Sequence, residues 1–168
     1  VVAHHERGGH VTEEDRALRT SLLAQSKDET FCYMVTSADQ GEGKTVTSTN
    51  LAFVMSERLD RVTLLVDCDL RKSRVGSLLK AKPGPGMAEL LRGQASFADV
   101  IRPTVHPNLF FISAGNARQD EVGELLGRSE VDVVLHELRR RYDYVIFDTP
   151  PVNAVSDACM LGRSAGEA

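Results

Sequence analysis

The chain has 168 residues, 42% of them hydrophobic, and a formal net charge of −4. This length and hydrophobic content fit one globular domain, and the negative charge argues against a nucleic-acid-binding surface. The longest apolar runs, residues 62–66 and 109–112, are far shorter than the roughly 20 residues that cross a bilayer. Three widely spaced cysteines suggest neither a disulfide framework nor a zinc site, and they fit a reducing cytoplasm.

The first part of the chain changes from a polar lead-in to a helical pattern. Residues 1–11 show no apolar periodicity, so we expect a flexible lead-in to a domain that spans residues 12–168. Because the chain begins with Val1 rather than Met, it is interpreted as a piece of a longer protein. Residues 12–25 predict a helix with Ala17, Leu18 and Leu22 along its apolar side.

The remainder of the chain alternates between buried strands and helices. Four apolar runs predict strands at residues 31–35, 62–66, 109–112 and 144–147. Helical patterns follow the first strand near Lys44 and recur at residues 87–92, 97–101 and 129–142. This alternation predicts an α/β fold, a three-layer parallel sheet with helices on both faces.

The most informative segment is residues 38–45, which read ADQGEGKT between the first strand and the next helix. Glycines at this place let backbone N–H groups turn around an anion, and the helix N-terminus adds partial positive charge. Lys44 can reach the outer phosphates, and the Thr45 hydroxyl can ligate Mg²⁺. The segment therefore predicts a phosphate-binding loop for ATP or GTP. The predicted nucleotide-binding residues are Asp39, Gln40, Gly41, Glu42, Gly43, Lys44, Thr45 and Val46.

Acidic residues follow two of the predicted strands. Asp67 and Asp69 close the second strand, and their spacing of two places both on one face, with Cys68 on the other. Asp148 ends the strand at residues 144–147 and is followed by two prolines. Since the carboxyl ends of parallel strands meet at one sheet edge, all three acids should lie beside the phosphate loop. One acid of the Asp67 and Asp69 pair can hold Mg²⁺ through water and one can take a hydroxyl proton. The alternative is a solvated turn with Asp69 and Arg71 as a local ion pair, and Asp148 as a helix cap or turn former.

These motifs, in this order, resemble the cytoplasmic catalytic domain of the bacterial tyrosine kinases of capsule and exopolysaccharide synthesis. The resembling segments read TSADQGEGKT, LLVDCDLRKS and YDYVIFDTPPVNAVSDA. The resemblance implies an ATP- and Mg²⁺-dependent autokinase of the phosphate-loop NTPase fold. It implies that Lys44 stabilises phosphates, that Thr45, Asp67 and Asp148 organise the metal, and that Asp67 or Asp69 is the base.

The resemblance also covers the first helix. Glu13, Arg16 and Arg19 match a Glu-x-x-Arg-x-x-Arg motif that packs subunits into a ring in relatives, so a ring-like homo-oligomer is implied. The alternative is an exposed helix with Glu13 and Arg16 as an i,i+3 pair. Asp39 stands where the related partition and cell-division ATPases place a signature lysine, and Gln40 stands where tyrosine-kinase relatives commonly have Pro.

Relatives continue beyond the point where this chain ends, with at least one more core strand and a tyrosine-rich tail that accepts phosphate. The chain's tyrosines, Tyr33, Tyr142 and Tyr144, each lie in or beside a predicted core element, so none is expected to be the acceptor. The implied location is the cytoplasmic face of the plasma membrane, reached through a transmembrane activator or a membrane segment outside this sequence. Two alternatives remain open: a partition-type ATPase switch, and a catalytically silent nucleotide-binding module that only assembles.

Overall fold

The structure is a computed structural model that describes residues 11–25 and 31–152. The predicted lead-in lies outside the described residues except for Val11, which packs partly buried against the core. The segment that follows the two prolines, from residue 153 onward, also lies outside them.

Within the described residues, five strands form one sheet, and four of them are parallel. The strands are β1 (Phe31–Val35), β2 (Thr63–Asp67), β3 (Arg102–Pro103), β4 (Leu109–Ile112) and β5 (Tyr144–Asp148). Their order is β1-β5-β2-β4-β3, with β3 antiparallel at one edge. The four predicted strands are confirmed. β3 was not predicted, because two residues, one of them proline, are too few to show a periodicity.

Seven helices are described. They are α1 (Glu13–Gln25), α2 (Lys44–Ser56), α3 (Val75–Leu78), α4 (Met87–Leu91), α5 (Phe97–Val100), α6 (Val122–Leu126) and α7 (Glu130–Arg141). The helices predicted from periodicity are present, whereas α3 and α6 are too short to produce a periodic signal. No helix in the described ranges is long and apolar enough to span a bilayer.

Alternating side chains divide the core into two layers. Val145 and Phe147 of β5 enter one core with residues of α4, α6 and α7. Tyr144 and Ile146 enter the other core, which is built against α2. The sheet therefore lies between two helical layers, as the strand and helix alternation predicted.

Helix α1 packs differently from its predicted apolar side. Ala17 is exposed and Leu18 is 38% exposed, while Leu22 and Leu23 pack partly buried against the α2 core. The inclusion of Ala17 and Leu18 in the packed side was therefore wrong. The side of α1 that faces α2 instead carries Leu22 and Leu23 together with Arg16 and Arg19, which contact the carboxyl-terminal end of α2.

Candidate nucleotide-binding site

The phosphate loop joins the end of β1 to the start of α2. Gly41 and Gly43 have φ angles of +85° and +90°, a region in which a side chain would be strained. Gly43 immediately precedes α2, a 13-residue helix whose free N–H groups and partial positive charge point toward the loop. The predicted nucleotide-binding residues, 39–46, thus occupy this loop and the first turn of α2.

Strand register explains why acids that are distant in sequence lie together. In the pairing of β2 with β5, Asp67 stands opposite Asp148. In the pairing of β1 with β5, Asp148 stands opposite Val35, the last strand residue before the phosphate loop. Asp67, Asp69 and Asp148 are all buried at this edge. The predicted convergence of the three acids beside the loop is therefore present in the geometry.

Asp67 is tied down by its own chain. Its Oδ2 atom accepts hydrogen bonds from the Ser73 hydroxyl at 2.9 Å and from the backbone N–H groups of Arg74 and Val75 at 3.2 Å each. Burial, and next the repulsion from Asp148, nevertheless raise the pKa of Asp67 to about 7. The Asp67 carboxyl group is thus fixed in position, but its charged form is energetically unfavourable there.

Asp148 is the least satisfied group of the site. Its side chain is fully buried, and no described residue makes a hydrogen bond of ordinary geometry to either carboxylate oxygen. Burial raises the pKa of Asp148, although the nearby Thr45 hydroxyl, the Lys44 ammonium and the Ser48 hydroxyl oppose that rise. A buried, unpartnered carboxylate is costly unless a cation or donor joins it.

The donor set at Asp148 fits Mg²⁺. Within the described residues no three His, Cys, Asp or Glu side chains form a cluster that holds a metal by themselves. Mg²⁺ does not need such a cage, since it usually keeps waters and binds one or two protein oxygens together with substrate phosphates. Asp148 and the neighbouring Thr45 hydroxyl supply oxygens of the required kind.

Lys44 and Asp69 form the second half of the site. Lys44 Nζ lies 3.4 Å from Asp69 Oδ2, and both side chains are largely buried. Asp69 Oδ1 accepts a hydrogen bond from the Lys72 backbone N–H at 3.0 Å. The segment that follows β2 is thereby connected directly to the lysine of the phosphate loop.

Some residues of the site were not singled out from the sequence. Ser73 and Ser48 contribute hydroxyls next to Asp67 and Asp148. Arg71 and Gln119 exchange two hydrogen bonds, so the loop after β4 is fastened to the loop after β2. The contacts of Ser48 and of Gln119 leave no spacing signal, because they join segments that are distant in sequence and whose distance in space depends on the whole fold.

The candidate assembly residues lie on α1, against the other end of α2. Arg16 contacts Glu13 at 3.0 Å and Glu57 at 3.2 Å, while Arg19 contacts Glu57 at 2.7 Å and the Val54 carbonyl at 2.6 Å. Burial pushes the pKa of Glu57 up, but hydrogen bonds from both arginines outweigh it and hold the pKa below its usual value. The i,i+3 pair is thus present, and Glu57 is a partner that the sequence did not reveal.

Fold and site together define a nucleotide-binding protein of the phosphate-loop class, and comparison with known proteins narrows that class. A family profile described as an AAA domain matches residues 34–164. Tyrosine-protein kinase YwqD of Bacillus subtilis is 34% identical over 166 residues, covering 98% of this chain and 69% of the relative. The chain belongs to the bacterial tyrosine-protein kinase family.

Two further matches agree with this membership. Tyrosine-protein kinase wzc of Salmonella typhimurium is 37% identical over 155 residues, covering 92% of this chain and 21% of the relative. The solved kinase domain of Escherichia coli tyrosine kinase ETK superposes with a TM-score of 0.85 at 37% identity, covering 92% of this chain and 60% of that one. The chain thus spans about a fifth of the length of the first curated relatives it matches.

Proposed function

We propose that this chain is the nucleotide-binding and catalytic part of a protein-tyrosine kinase that uses ATP and Mg²⁺ and regulates capsule or exopolysaccharide synthesis. The observation that supports it most strongly is the buried Asp148 carboxylate, whose oxygens make no hydrogen bond of ordinary geometry to a described residue, beside the Lys44 and Thr45 end of the phosphate loop. Membership of the tyrosine-kinase family supplies the reaction class.

In this proposal the chain contributes positioning and charge. Lys44 and the N–H groups of the loop bind phosphate oxygens. Thr45 and Asp148, with Asp67 beside them, would hold Mg²⁺. Bound Mg²⁺ would offset phosphate charge and orient the phosphates. Asp67 or Asp69 serves as the base: Asp69 pairs with Lys44 and accepts from the Lys72 N–H group, and Asp67 accepts from the Ser73 hydroxyl and the Val75 N–H group.

The direct test uses the full-length protein, together with its activating partner, incubated with ATP and Mg²⁺. Phosphotyrosine should form, and it should be lost in the Lys44→Met variant and on chelation of Mg²⁺. If the full-length protein and its activator yield no phosphotyrosine, the kinase proposal is wrong.

Assembly and location belong to the same proposal. We propose that Glu13, Arg16 and Arg19 take part in a ring-like homo-oligomer at the cytoplasmic face of the membrane, with a transmembrane activator as partner. The side chains of Glu13 and Arg16 are 91% and 40% exposed, so both are accessible to a second subunit, which supports an assembly role. Light scattering of the full-length protein should show a smaller assembly for Arg19→Ala. An unchanged mass in that variant would contradict the role of α1.

A partition-type ATPase switch is the competing function. Paired aspartates beside a phosphate loop also suit hydrolysis, but Asp39 occupies the position of the signature lysine in that class. Nucleotide-dependent dimers that release inorganic phosphate without forming phosphotyrosine would favour the switch.

A further inference from the structure

Lys72 brings a second ammonium group to the rim of the phosphate loop. It lies in the segment between β2 and α3, and its Nζ atom donates a hydrogen bond of 2.6 Å to Oε1 of Gln40. Gln40 is the third residue of the ADQGEGKT segment, so this contact joins the loop after β2 to the phosphate loop. Both side chains belong to exposed residues, which leaves the ammonium accessible to a ligand in the loop.

The backbone of Lys72 is anchored at the Lys44 end of the site. Its N–H group donates to Asp69 Oδ1 at 3.0 Å, while Oδ2 of the same carboxylate lies 3.4 Å from Lys44 Nζ. In a phosphate loop the lysine that precedes the Ser or Thr marks the position of the outer phosphates. Lys72 is therefore fastened to the side of the site where the terminal phosphate of a triphosphate would lie.

The charge of Lys72 is not matched by an acid. No carboxylate of residues 11–25 or 31–152 lies within 4.0 Å of its Nζ atom, and the Gln40 amide is neutral. Lys44, in contrast, has the Asp69 carboxylate as its partner. A lysine ammonium on a flexible stem can exchange a neutral amide oxygen for a phosphate oxygen, and the exchange replaces a hydrogen bond to a neutral acceptor with one between opposite charges.

We infer that Lys72 binds the terminal phosphate of a nucleoside triphosphate, and that Gln40 holds its ammonium when no triphosphate is bound. This assignment rests on the proposed function, because it requires a nucleotide in the loop. It gives Lys72 a role that Lys44 does not have, the distinction between a triphosphate and a diphosphate.

Binding measurements test this assignment without any need for catalysis. The dissociation constants of Mg²⁺-ATP and Mg²⁺-ADP are measured by calorimetry for the full-length protein and its Lys72→Met variant. ATP binding should weaken about tenfold, the change expected for one charge-assisted hydrogen bond, while ADP binding should change less than about twofold. Lys72→Arg should keep most of the preference for ATP, since it keeps the charge.

Matched variants separate this effect from nonspecific charge and from folding. Arg140→Met also removes one exposed positive charge. Arg140 lies at the end of α7, before the amino-terminal end of β5, so this variant should leave the dissociation constants of ATP and ADP unchanged. The ligand-free melting temperature of Lys72→Met should match that of the original protein, because the side chain is exposed and makes one neutral contact.

The outcomes distinguish this inference from the proposed function. Equal weakening of ATP and ADP would assign Lys72 to holding the loop and would overturn the inference, as would unchanged affinity for both. If Lys44→Met abolishes binding while Lys72→Met binds both nucleotides normally, the inference alone fails. If the original protein binds neither nucleotide, both fail.

Discussion

The carboxyl edge of the sheet and the α1 surface hold their charges in opposite ways. At the sheet edge, Asp148 is fully buried, its carboxylate oxygens make no hydrogen bond of ordinary geometry to a described residue, and it repels Asp67. On α1, the charges of Arg16 and Arg19 are matched by Glu57 within hydrogen-bond distance. Buried charge that its own chain leaves unmatched marks a place where a ligand completes the structure, whereas matched charge at the surface holds one helix against another.

The largest effect is expected at the sheet edge, from the Lys44→Met variant. Loss of this phosphate-binding cation should lower tyrosine phosphorylation by the full-length protein at least about 100-fold. It should also remove the thermal stabilisation that nucleotide confers on the original protein. Phosphotyrosine blotting and melting curves with and without Mg²⁺-ATP measure the two effects. Retained stabilisation by nucleotide would show that the ligand site lies elsewhere.

The pH dependence of stability tests the strain at the sheet edge directly. The raised pKa values of Asp67 and Asp148 mean that the folded protein binds more protons than the unfolded chain above pH 4. The stabilisation from their protonated forms is complete below the unfolded value near 4 and is lost as pH rises through the folded value of about 7 for Asp67. The metal-free free energy of unfolding should therefore fall between pH 5 and pH 7, by on the order of a few kcal/mol.

Surface acids provide the contrast for the pH experiment. Glu57 has a lowered pKa, so its stabilising effect is present above pH 4.5 and is lost only below it. Urea unfolding at pH 5, 6 and 7 therefore tests the buried pair in an interval where Glu57 contributes no change. A free energy of unfolding that rises over this interval would contradict the assignment.

Asp148→Asn should have a smaller effect, and it should raise rather than lower the free energy of unfolding of the metal-free protein. Removing the unmatched charge should stabilise the metal-free protein at pH 8 by about 1–2 kcal/mol, because a buried charge and its repulsion of Asp67 both disappear. The same variant should lose the additional stabilisation that Mg²⁺ gives in the presence of ATP. Equilibrium unfolding in urea, with and without Mg²⁺-ATP, measures both changes. A variant that is less stable than the original without metal would show that the carboxylate is already satisfied.

The smallest effect is expected on the α1 side of the comparison. Glu57→Gln keeps the size of the side chain but removes the charge that binds Arg16 and Arg19, so the free energy of unfolding should fall by about 0.5–1 kcal/mol. Glu14→Gln, on the exposed side of α1, is the matched control and should change little. Protease cleavage within α1 should become faster in the first variant only. Equal cleavage rates would mean that apolar contacts alone hold the helix.

Local pattern was sufficient to predict the four parallel strands and the phosphate loop. The strand at residues 144–147 is apolar throughout and ends on an acid, and the loop glycines have the left-handed backbone that their positions require. Such features depend on neighbours in sequence. The rotation of α1 was not predictable in this way, because Leu18 suggests one side of the helix while the distant Glu57 attracts the other.

The sequence alone was enough to predict the four parallel strands, the longer helices and the phosphate loop, since these follow from periodicity, glycine placement and the ends of strands, and it singled out candidate site residues there. Only the tertiary structure decided which of those residues meet. Register places Asp67 opposite Asp148, the fold leaves the Asp148 carboxylate without a hydrogen bond of ordinary geometry among the described residues, and loop packing brings Lys72 to Gln40. Contacts between distant segments depend on how all the strands and helices pack together, and a one-dimensional pattern does not record that packing.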